Sequence, residues 1–174
     1  MKSSIILIGF MGAGKSTIGN ELAAKLGVSF IDTDSAIEAE QNMKISEIFE
    51  KFGEGRFREI ETEYLTRLLE ESFCGIIATG GGIPIKKENR DLLHKIGRVY
   101  YLNVDEETVY GRVSGDKNRP LLNTGDLKER IKTLFAQRAD IYKETADVLI
   151  DAGLEPGTIT DIITSEYREW ENTK

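Results

Sequence analysis

A glycine-rich segment near the start of the sequence has the residue types that bind phosphate. Residues 9–17 read Gly-Phe-Met-Gly-Ala-Gly-Lys-Ser-Thr and match G-x-x-x-x-G-K-[ST] at every fixed position. Glycines let successive backbone N–H groups turn toward phosphate oxygens, and the start of a helix adds positive potential. Lys15 would reach the β- and γ-phosphates of a nucleotide, and the Ser16 hydroxyl would bind Mg²⁺. The segment therefore predicts a nucleotide site formed by Gly12, Ala13, Gly14, Lys15, Ser16 and Thr17.

Two carboxylates directly follow the second apolar run of the sequence. Asp32 and Asp34 are separated by one residue, so their side chains can point to the same side at the carboxyl edge of a sheet. Open α/β sheets bind ligands at this edge. One would lie near the metal ion, and the other would accept a proton from a hydroxyl group. The alternative is that Asp34 only caps the next helix. Asp105 and Asp151 also follow apolar runs and stay alternatives for the metal.

Three consecutive glycines and two charged residues are candidates for binding a second ligand. Gly80, Gly81 and Gly82 close the third apolar run, and their lack of side chains would let a ligand approach the backbone. A plain tight turn is the alternative. Arg58 and Glu61 lie three residues apart on one predicted helix, where the acid can hold the guanidinium in a fixed orientation.

These residues require elements that bring them together, and the hydrophobic pattern predicts such elements. Short apolar runs alternate with amphipathic stretches, which is typical of βα units with a buried parallel sheet. We predict strands at about residues 4–9, 28–32, 75–79, 98–103 and 147–151. We predict helices at about residues 15–26, 34–41, 45–52, 55–72, 87–95, 105–113, 126–143 and 157–171. The acidic residues of the 55–72 helix, Glu61 among them, are expected to face mostly solvent.

The composition excludes several classes of protein. The chain has 174 residues, 30 acidic and 23 basic, and 40% of them are hydrophobic, which fits one domain over residues 1–174 and not intrinsic disorder. Lys and Arg form no runs, so we expect neither a nucleic-acid nor a membrane partner. The longest apolar stretch, residues 5–11, is too short to span a membrane. With no secretory signal and a single cysteine, a cytoplasmic location is expected.

Taken together, the motifs resemble those of the shikimate kinase family. They occur in the family's order across almost the whole chain: Gly9-x₄-Gly14-Lys15-Ser16, Asp32-x-Asp34, Phe57-Arg58-x-x-Glu61, Gly80-Gly81-Gly82, Arg119-Pro120-Leu121-Leu122 and Arg138-x₃-Tyr142. The resemblance implies an α/β, P-loop NTPase-type three-layer fold, similar to that of nucleoside-monophosphate kinases, with a parallel five-stranded sheet in the order 2-3-1-4-5. It also implies ATP-dependent phosphorylation of the 3-hydroxyl of shikimate, with Mg²⁺, in the route to chorismate and the aromatic amino acids. We expect a monomer.

The resemblance assigns roles to particular residues. Shikimate would bind to a subregion at about residues 33–62 and to later residues, the full set being Asp34, Arg58, Gly80, Gly81, Gly82 and Arg138. Asp34 would be the base, and Asp32 would join Ser16 at the metal. Arg119 would come from a lid, about residues 114–125, and act on the phosphates together with Lys15. Arg112 and Pro156 would lie on the adenine side.

Three alternatives remain open from the residues alone. A gluconate kinase would share the phosphate-binding segment and would also act on a hydroxylated carboxylate. A nucleoside-monophosphate kinase would share the fold. An ATP-dependent binding module would have the nucleotide site without acceptor chemistry.

Overall fold

Five strands form one parallel sheet in the computed structural model, which describes residues 3–114 and 126–173. They are β1 (Ser4–Ile8), β2 (Phe30–Asp32), β3 (Ile76–Ala78), β4 (Gly97–Asn103) and β5 (Val148–Asp151). Their order across the sheet is β2-β3-β1-β4-β5, and every neighbouring pair is parallel. The predicted sheet and its strand order are confirmed.

Helices flank the sheet. In chain order the described residues form α1 (Lys15–Leu26), α2 (Thr33–Gln41), α3 (Ile45–Glu70), α4 (Lys87–Ile96), α5 (Glu106–Val113), α6 (Leu127–Thr145) and α7 (Pro156–Asn172). A short 3₁₀ helix at Ile83–Ile85, which the sequence did not predict, precedes α4. None of the helices in the described parts of the chain is both long and apolar enough to cross a membrane.

The central strand β1 shows how the three layers arise. All five of its residues are buried, and its apolar residues Ile5, Ile6, Leu7 and Ile8 are each 0% exposed. Since successive side chains of a strand point to opposite faces, both faces of the sheet must be covered by helices. The carboxyl end of β1 therefore places the glycine-rich segment at the edge of the sheet where ligands bind.

The helix α3 differs from its prediction. Two helices, at 45–52 and 55–72, were expected, whereas the structure has one element, Ile45–Glu70, interrupted at Gly53. Gly53 has φ of 79° and ψ of 168°, a conformation that glycine adopts readily and that kinks the helix. The predicted break therefore coincides with the kink, and the part of α3 beyond it carries Arg58 and Glu61.

Candidate active site

The loop between β1 and α1, together with the first two residues of α1, is called here the phosphate loop (residues 9–16) and has an unusual backbone. Gly9, Gly12 and Gly14 have φ of 148°, 75° and 93°, which glycine adopts without the strain that a side chain would bring. Because α1 begins at Lys15, the N–H groups of its first turn, which have no acceptor one turn earlier in the helix, border the loop. Lys15 Nζ donates hydrogen bonds to the carbonyl oxygens of Gly9 and Phe10, each at 2.9 Å. The ammonium group thus lies across the loop.

Ser16 and Asp32 meet at the carboxyl edge of the sheet. The Ser16 hydroxyl donates to Asp32 Oδ2 at 2.6 Å, and the Ser35 N–H donates to Asp32 Oδ1 at 3.1 Å. Asp32 is therefore the residue that caps α2, and Asp34 lies within the first turn of that helix. The alternative that Asp34 only caps the helix is wrong, because Asp32 fills that position.

The three aspartates considered for the metal differ in what they contact. The carboxylate of Asp105 accepts hydrogen bonds from Thr108 at the start of α5, and that of Asp151 accepts from Gly153 N–H. Of the three, Asp32 is the one that contacts Ser16. In the described residues, no group of three or more His, Cys, Asp or Glu side chains is arranged so that it could hold a metal ion. The pair of oxygen donors from Ser16 and Asp32 suits Mg²⁺, which binds few protein oxygens and completes its coordination shell with phosphates and water.

The three consecutive glycines form a turn after β3, called here the glycine turn (residues 80–82), into which side chains of the site fit closely. A Cβ atom added to Gly80 would overlap Asp34 Oδ1, and one added to Gly82 would overlap the Arg58 guanidinium. Glycine is therefore required at both positions for Asp34 and Arg58 to lie where they do. The segment does form a turn, and at Gly80 and Gly82 the side chains of Asp34 and Arg58 occupy the space that a Cβ atom would fill.

Arg58 is held by two carboxylates. Its Nη1 donates to Glu61 Oε2 at 2.7 Å, and its Nη2 donates to Glu54 Oε1 at 2.9 Å. The role of Glu54 was missed by the sequence analysis, although its spacing of four residues from Arg58 is a signal that could have found it.

Glu61 was expected on a solvated helix face, and this expectation is wrong because Glu61 is 0% exposed. Burial raises the pKa of Glu61 to about 7, although the positive charge of Arg58 and its hydrogen bond act in the opposite direction. Its Oε1 is buried without a hydrogen-bond partner among the described residues. A buried oxygen atom without a hydrogen bond lowers the stability of the folded protein. Its presence here therefore indicates a functional role for Glu61.

Arg138 completes the group of charges beside the glycine turn. It lies on α6 and is 5% exposed, which is rare for arginine unless it is paired or binds a ligand. Its positive charge lowers the pKa of Glu61, whereas the negative charge of Asp34 raises it. Two guanidinium groups and two carboxylates thus converge on one turn, and two arginines can bind a planar carboxylate bidentately.

Thr33 is a further residue of this region that the sequence analysis did not find. Its hydroxyl, between Asp32 and Asp34 in the sequence, accepts a hydrogen bond from the Gly80 N–H at 2.8 Å. This bond ties the start of α2 to the glycine turn. No spacing rule pairs residues so distant in the chain, so the sequence gives no signal for it.

A cleft of about 520 Å³ extends from the phosphate loop to Asp34 and Gly81. Its lining includes Gly12, Ala13, Gly14, Lys15, Ser16, Thr17, Asp32, Asp34, Gly81, Arg112 and Pro156. Arg112 Nη1 donates to the carbonyl oxygen of Gly12 at 2.9 Å. The structure therefore brings together the residues predicted for the nucleotide, apart from Arg119. Arg119 and the lid lie outside the described residues except for Ser114.

A parallel sheet in this strand order, with a phosphate loop after its central strand, defines a P-loop kinase fold similar to that of the nucleoside-monophosphate kinases. The partly buried Arg58 and the buried Arg138 form a candidate second site with the charge to suit an anionic acceptor. The chain belongs to the shikimate kinase family, whose model, described as "Shikimate kinase", matches residues 11–168.

Individual proteins agree with this assignment. The shikimate kinase of Thermodesulfovibrio yellowstonii is 44% identical over 172 residues, which are 98% of each chain. The structure of shikimate kinase from Acinetobacter baumannii in complex with shikimate has a TM-score of 0.87 and 36% identity, and the match covers 99% of this chain and 94% of that one. Deoxyadenosine kinase from M. mycoides, with a TM-score of 0.62 and 21% identity over 95% of this chain and 99% of that one, shares the fold alone.

Proposed function

We propose that this protein transfers the γ-phosphoryl group of ATP to the 3-hydroxyl of shikimate, which yields shikimate 3-phosphate and ADP. The reaction would belong to the route to chorismate and the aromatic amino acids. One observation carries the proposal: Arg58 and Arg138 converge on the glycine turn beside Asp34, in a chain of the shikimate kinase family. Two arginines suit the carboxylate of shikimate, while glycine N–H groups and Asp34 suit its hydroxyl groups.

In this proposal the acceptor oxygen forms a bond to the γ-phosphorus as the bond to the ADP oxygen breaks. Asp34 orients the acceptor hydroxyl and takes its proton, and Lys15 stabilises the charge on the transferred group and on ADP. Most of the catalysis is positioning and charge neutralisation, since phosphoryl transfer asks little covalent chemistry of the protein. Arg119, from the lid, would add a positive charge near the phosphates.

Mg²⁺ would be held by Ser16 and Asp32, whose adjacent oxygens are the hard ligands this cation prefers. When bound, the ion would neutralise phosphate charge. On the adenine side of the cleft, Arg112 and Pro156 would contact the nucleotide. We also propose that the chain acts as a single-domain monomer in the cytoplasm. Light scattering after size exclusion tests the monomer, with an expected mass near 19.5 kDa.

A coupled ADP-release assay tests the function. ADP formation is measured with shikimate, gluconate and nucleoside monophosphates as separate acceptors, and with no acceptor. We expect release with shikimate alone. Release with gluconate or a monophosphate instead, or with no acceptor at all, would replace this proposal by one of the alternatives.

Arg138→Ala makes the assay specific to the acceptor site. The loss of one charge-assisted hydrogen bond predicts a roughly 10- to 150-fold increase in KM for shikimate, with a much smaller change in KM for ATP. Arg168→Ala is the matched control, because Arg168 is an exposed arginine on α7. An Arg138 variant with the control's KM for shikimate would show that Arg138 does not bind the acceptor.

A further inference from the structure

Tyr142 occupies a buried position between two parts of the acceptor site, and the roles given above do not account for it. It lies on α6 one helical turn after Arg138 and is 1% exposed. Its hydroxyl donates a hydrogen bond to the carbonyl oxygen of Gly81 at 2.6 Å. Its ring packs against the ring of Tyr101, with centroids 5.2 Å apart. The position of the hydroxyl is therefore fixed by the core as well as by its own bond.

The hydrogen bond to Gly81 restrains more than one atom. The Gly81–Gly82 peptide is trans and planar, so its carbonyl and its N–H point to opposite sides. By holding the Gly81 carbonyl, Tyr142 also sets the direction of the Gly82 N–H. A run of glycines has the widest backbone freedom of any sequence, so an external restraint of this kind changes its conformation strongly.

The other carbonyl oxygens of the glycine turn are held locally. That of Gly80 accepts from Ile83 N–H at 3.2 Å, and that of Gly82 accepts from Ile85 N–H at 3.1 Å. The Gly81 carbonyl is instead held by a side chain from a helix 61 residues further along the chain. This bond is what ties the turn to the helix that carries Arg138.

The same hydroxyl lies in the field of Arg138. Burial raises the pKa of Tyr142 to about 12, while the positive charge of Arg138 acts in the opposite direction. The hydroxyl is therefore protonated at neutral pH. As a protonated phenol it is a donor, and it donates to the Gly81 carbonyl.

We propose that Tyr142 is a positioning residue for the acceptor substrate, because its hydroxyl fixes the Gly81–Gly82 peptide relative to the helix that carries Arg138. This inference rests on the proposed function for the identity of the acceptor, shikimate. Tyr142 touches no reacting atom in this account. Its removal is expected to affect the use of shikimate and to leave the use of ATP nearly unchanged.

Tyr142→Phe removes the hydroxyl and keeps the ring with its packing. We expect KM for shikimate to rise about fivefold to tenfold, the effect of one hydrogen bond to a buried carbonyl, with KM for ATP within about twofold of the wild-type value. Tyr101→Phe is the matched control, because it removes a hydroxyl from the ring that packs against Tyr142. Burial alone raises the pKa of Tyr101, so no charged neighbour acts on its hydroxyl as Arg138 acts on that of Tyr142. A purely structural role would lower the melting temperature without separating the two KM values, and that result would overturn the proposal.

A second measurement does not depend on activity. In ¹⁵N-glycine-labelled protein, Tyr142→Phe is expected to shift or broaden the amide signals of Gly81 and Gly82, and Tyr101→Phe is expected to leave them in place. Unchanged signals in both variants would overturn the positioning role. If the wild-type protein does not phosphorylate shikimate, the proposed function fails, whereas this spectrum still decides the role of Tyr142.

Replacement of Tyr142 by 4-aminophenylalanine provides the rescue. This residue keeps the ring and has an N–H donor at the same position. We therefore expect it to return the KM for shikimate and the amide signals of Gly81 and Gly82 most of the way to their wild-type values. It also provides a test if the Phe variant does not fold. Because its N–H group is a weaker donor than a phenol, we expect a KM for shikimate above the wild-type value and below the value expected without the hydrogen bond. A rescue variant that behaves like Phe would refute the hydrogen bond as the cause.

Discussion

Gly82→Ala gives the sharpest test of the acceptor site. The added Cβ would overlap the Arg58 guanidinium, to which its three nearest atoms all belong. Since these atoms are the far end of a flexible side chain, the overlap is relieved by movement of Arg58 and not of the backbone. Movement breaks the hydrogen bonds of Arg58 to Glu61 and Glu54, at 2.7 Å and 2.9 Å. The variant therefore displaces Arg58 without removing it.

The expected effects on binding and on stability differ in size. Loss of a charge-assisted hydrogen bond from Arg58 to the carboxylate of shikimate costs about 1.5–3 kcal/mol, which raises KM for shikimate roughly 10- to 150-fold. The overlap itself costs about 1–3 kcal/mol of stability, or roughly 2–12 °C in melting temperature for a chain of this length. Glu61 can take up a proton once Arg58 has moved, since its pKa is about 7, which limits the loss of stability.

The assay measures initial rates of ADP release with each substrate varied in turn, together with a thermal melt. Gly157→Ala is the control, because Gly157 lies in the first turn of α7 and an added Cβ there meets no atom within 4 Å. Gly80→Ala provides a contrast, because its Cβ would overlap Asp34 instead, so kcat is expected to fall. A Gly82→Ala variant with the wild-type KM for shikimate would refute the placement of Arg58 at the acceptor carboxylate.

Three further substitutions test other parts of the site. Lys15→Met should abolish phosphoryl transfer with an unchanged melting temperature, and substantial turnover would contradict its role at the phosphates. Asp34→Asn keeps the size of the side chain and removes the proton acceptor, so kcat measured at saturating substrates should fall strongly, whereas a retained kcat would limit Asp34 to binding. Glu61 keeps its proton in the folded protein up to about pH 7 and loses it near pH 4.5 when unfolded, so wild-type stability should fall as the pH rises between these values. Relative to Glu61→Gln, which does not titrate, the wild-type free energy of unfolding measured in denaturant should fall by about 3 kcal/mol by pH 8. If the difference in unfolding free energy between the two proteins stays constant from pH 5 to 8, the pKa of Glu61 is not raised.

Local sequence signals were sufficient to predict those parts of the structure that are determined by residues adjacent in the chain. The predicted helix at 15–26 matches α1, because Gly14 and Gly27 bound it and both have positive φ. The phosphate loop was recognisable for the same reason, since its function depends on the order of adjacent residues. The strand order was implied by the family resemblance and not by the hydrophobic pattern, which is nearly the same for any arrangement of buried parallel strands.

Packing between distant elements decided what the sequence could not predict. Glu59, Glu61 and Glu63 look alike in the sequence, yet the side chains of Glu59 and Glu63 are each 61% exposed and pair with Arg56, whereas Glu61 is fully buried. Charge patterning along one helix cannot show which of its faces packs against other elements. The same limit explains why the roles of Thr33 and Tyr142 emerged only from the structure.

The strand order also has a consequence for synthesis of the chain. The strand β3 follows β1 and β2 in the sequence but lies between them, and Ile76 is opposite both Ile5 and Phe30. While the ribosome adds the residues from the end of β2 to β3, which takes roughly 2–9 s at typical rates, neither earlier strand has this partner. A nascent chain arrested before residue 76 is therefore expected to expose the apolar β1 to chaperones. Extension past both β3 and β4, which pair with β1 on its two sides, is expected to release them.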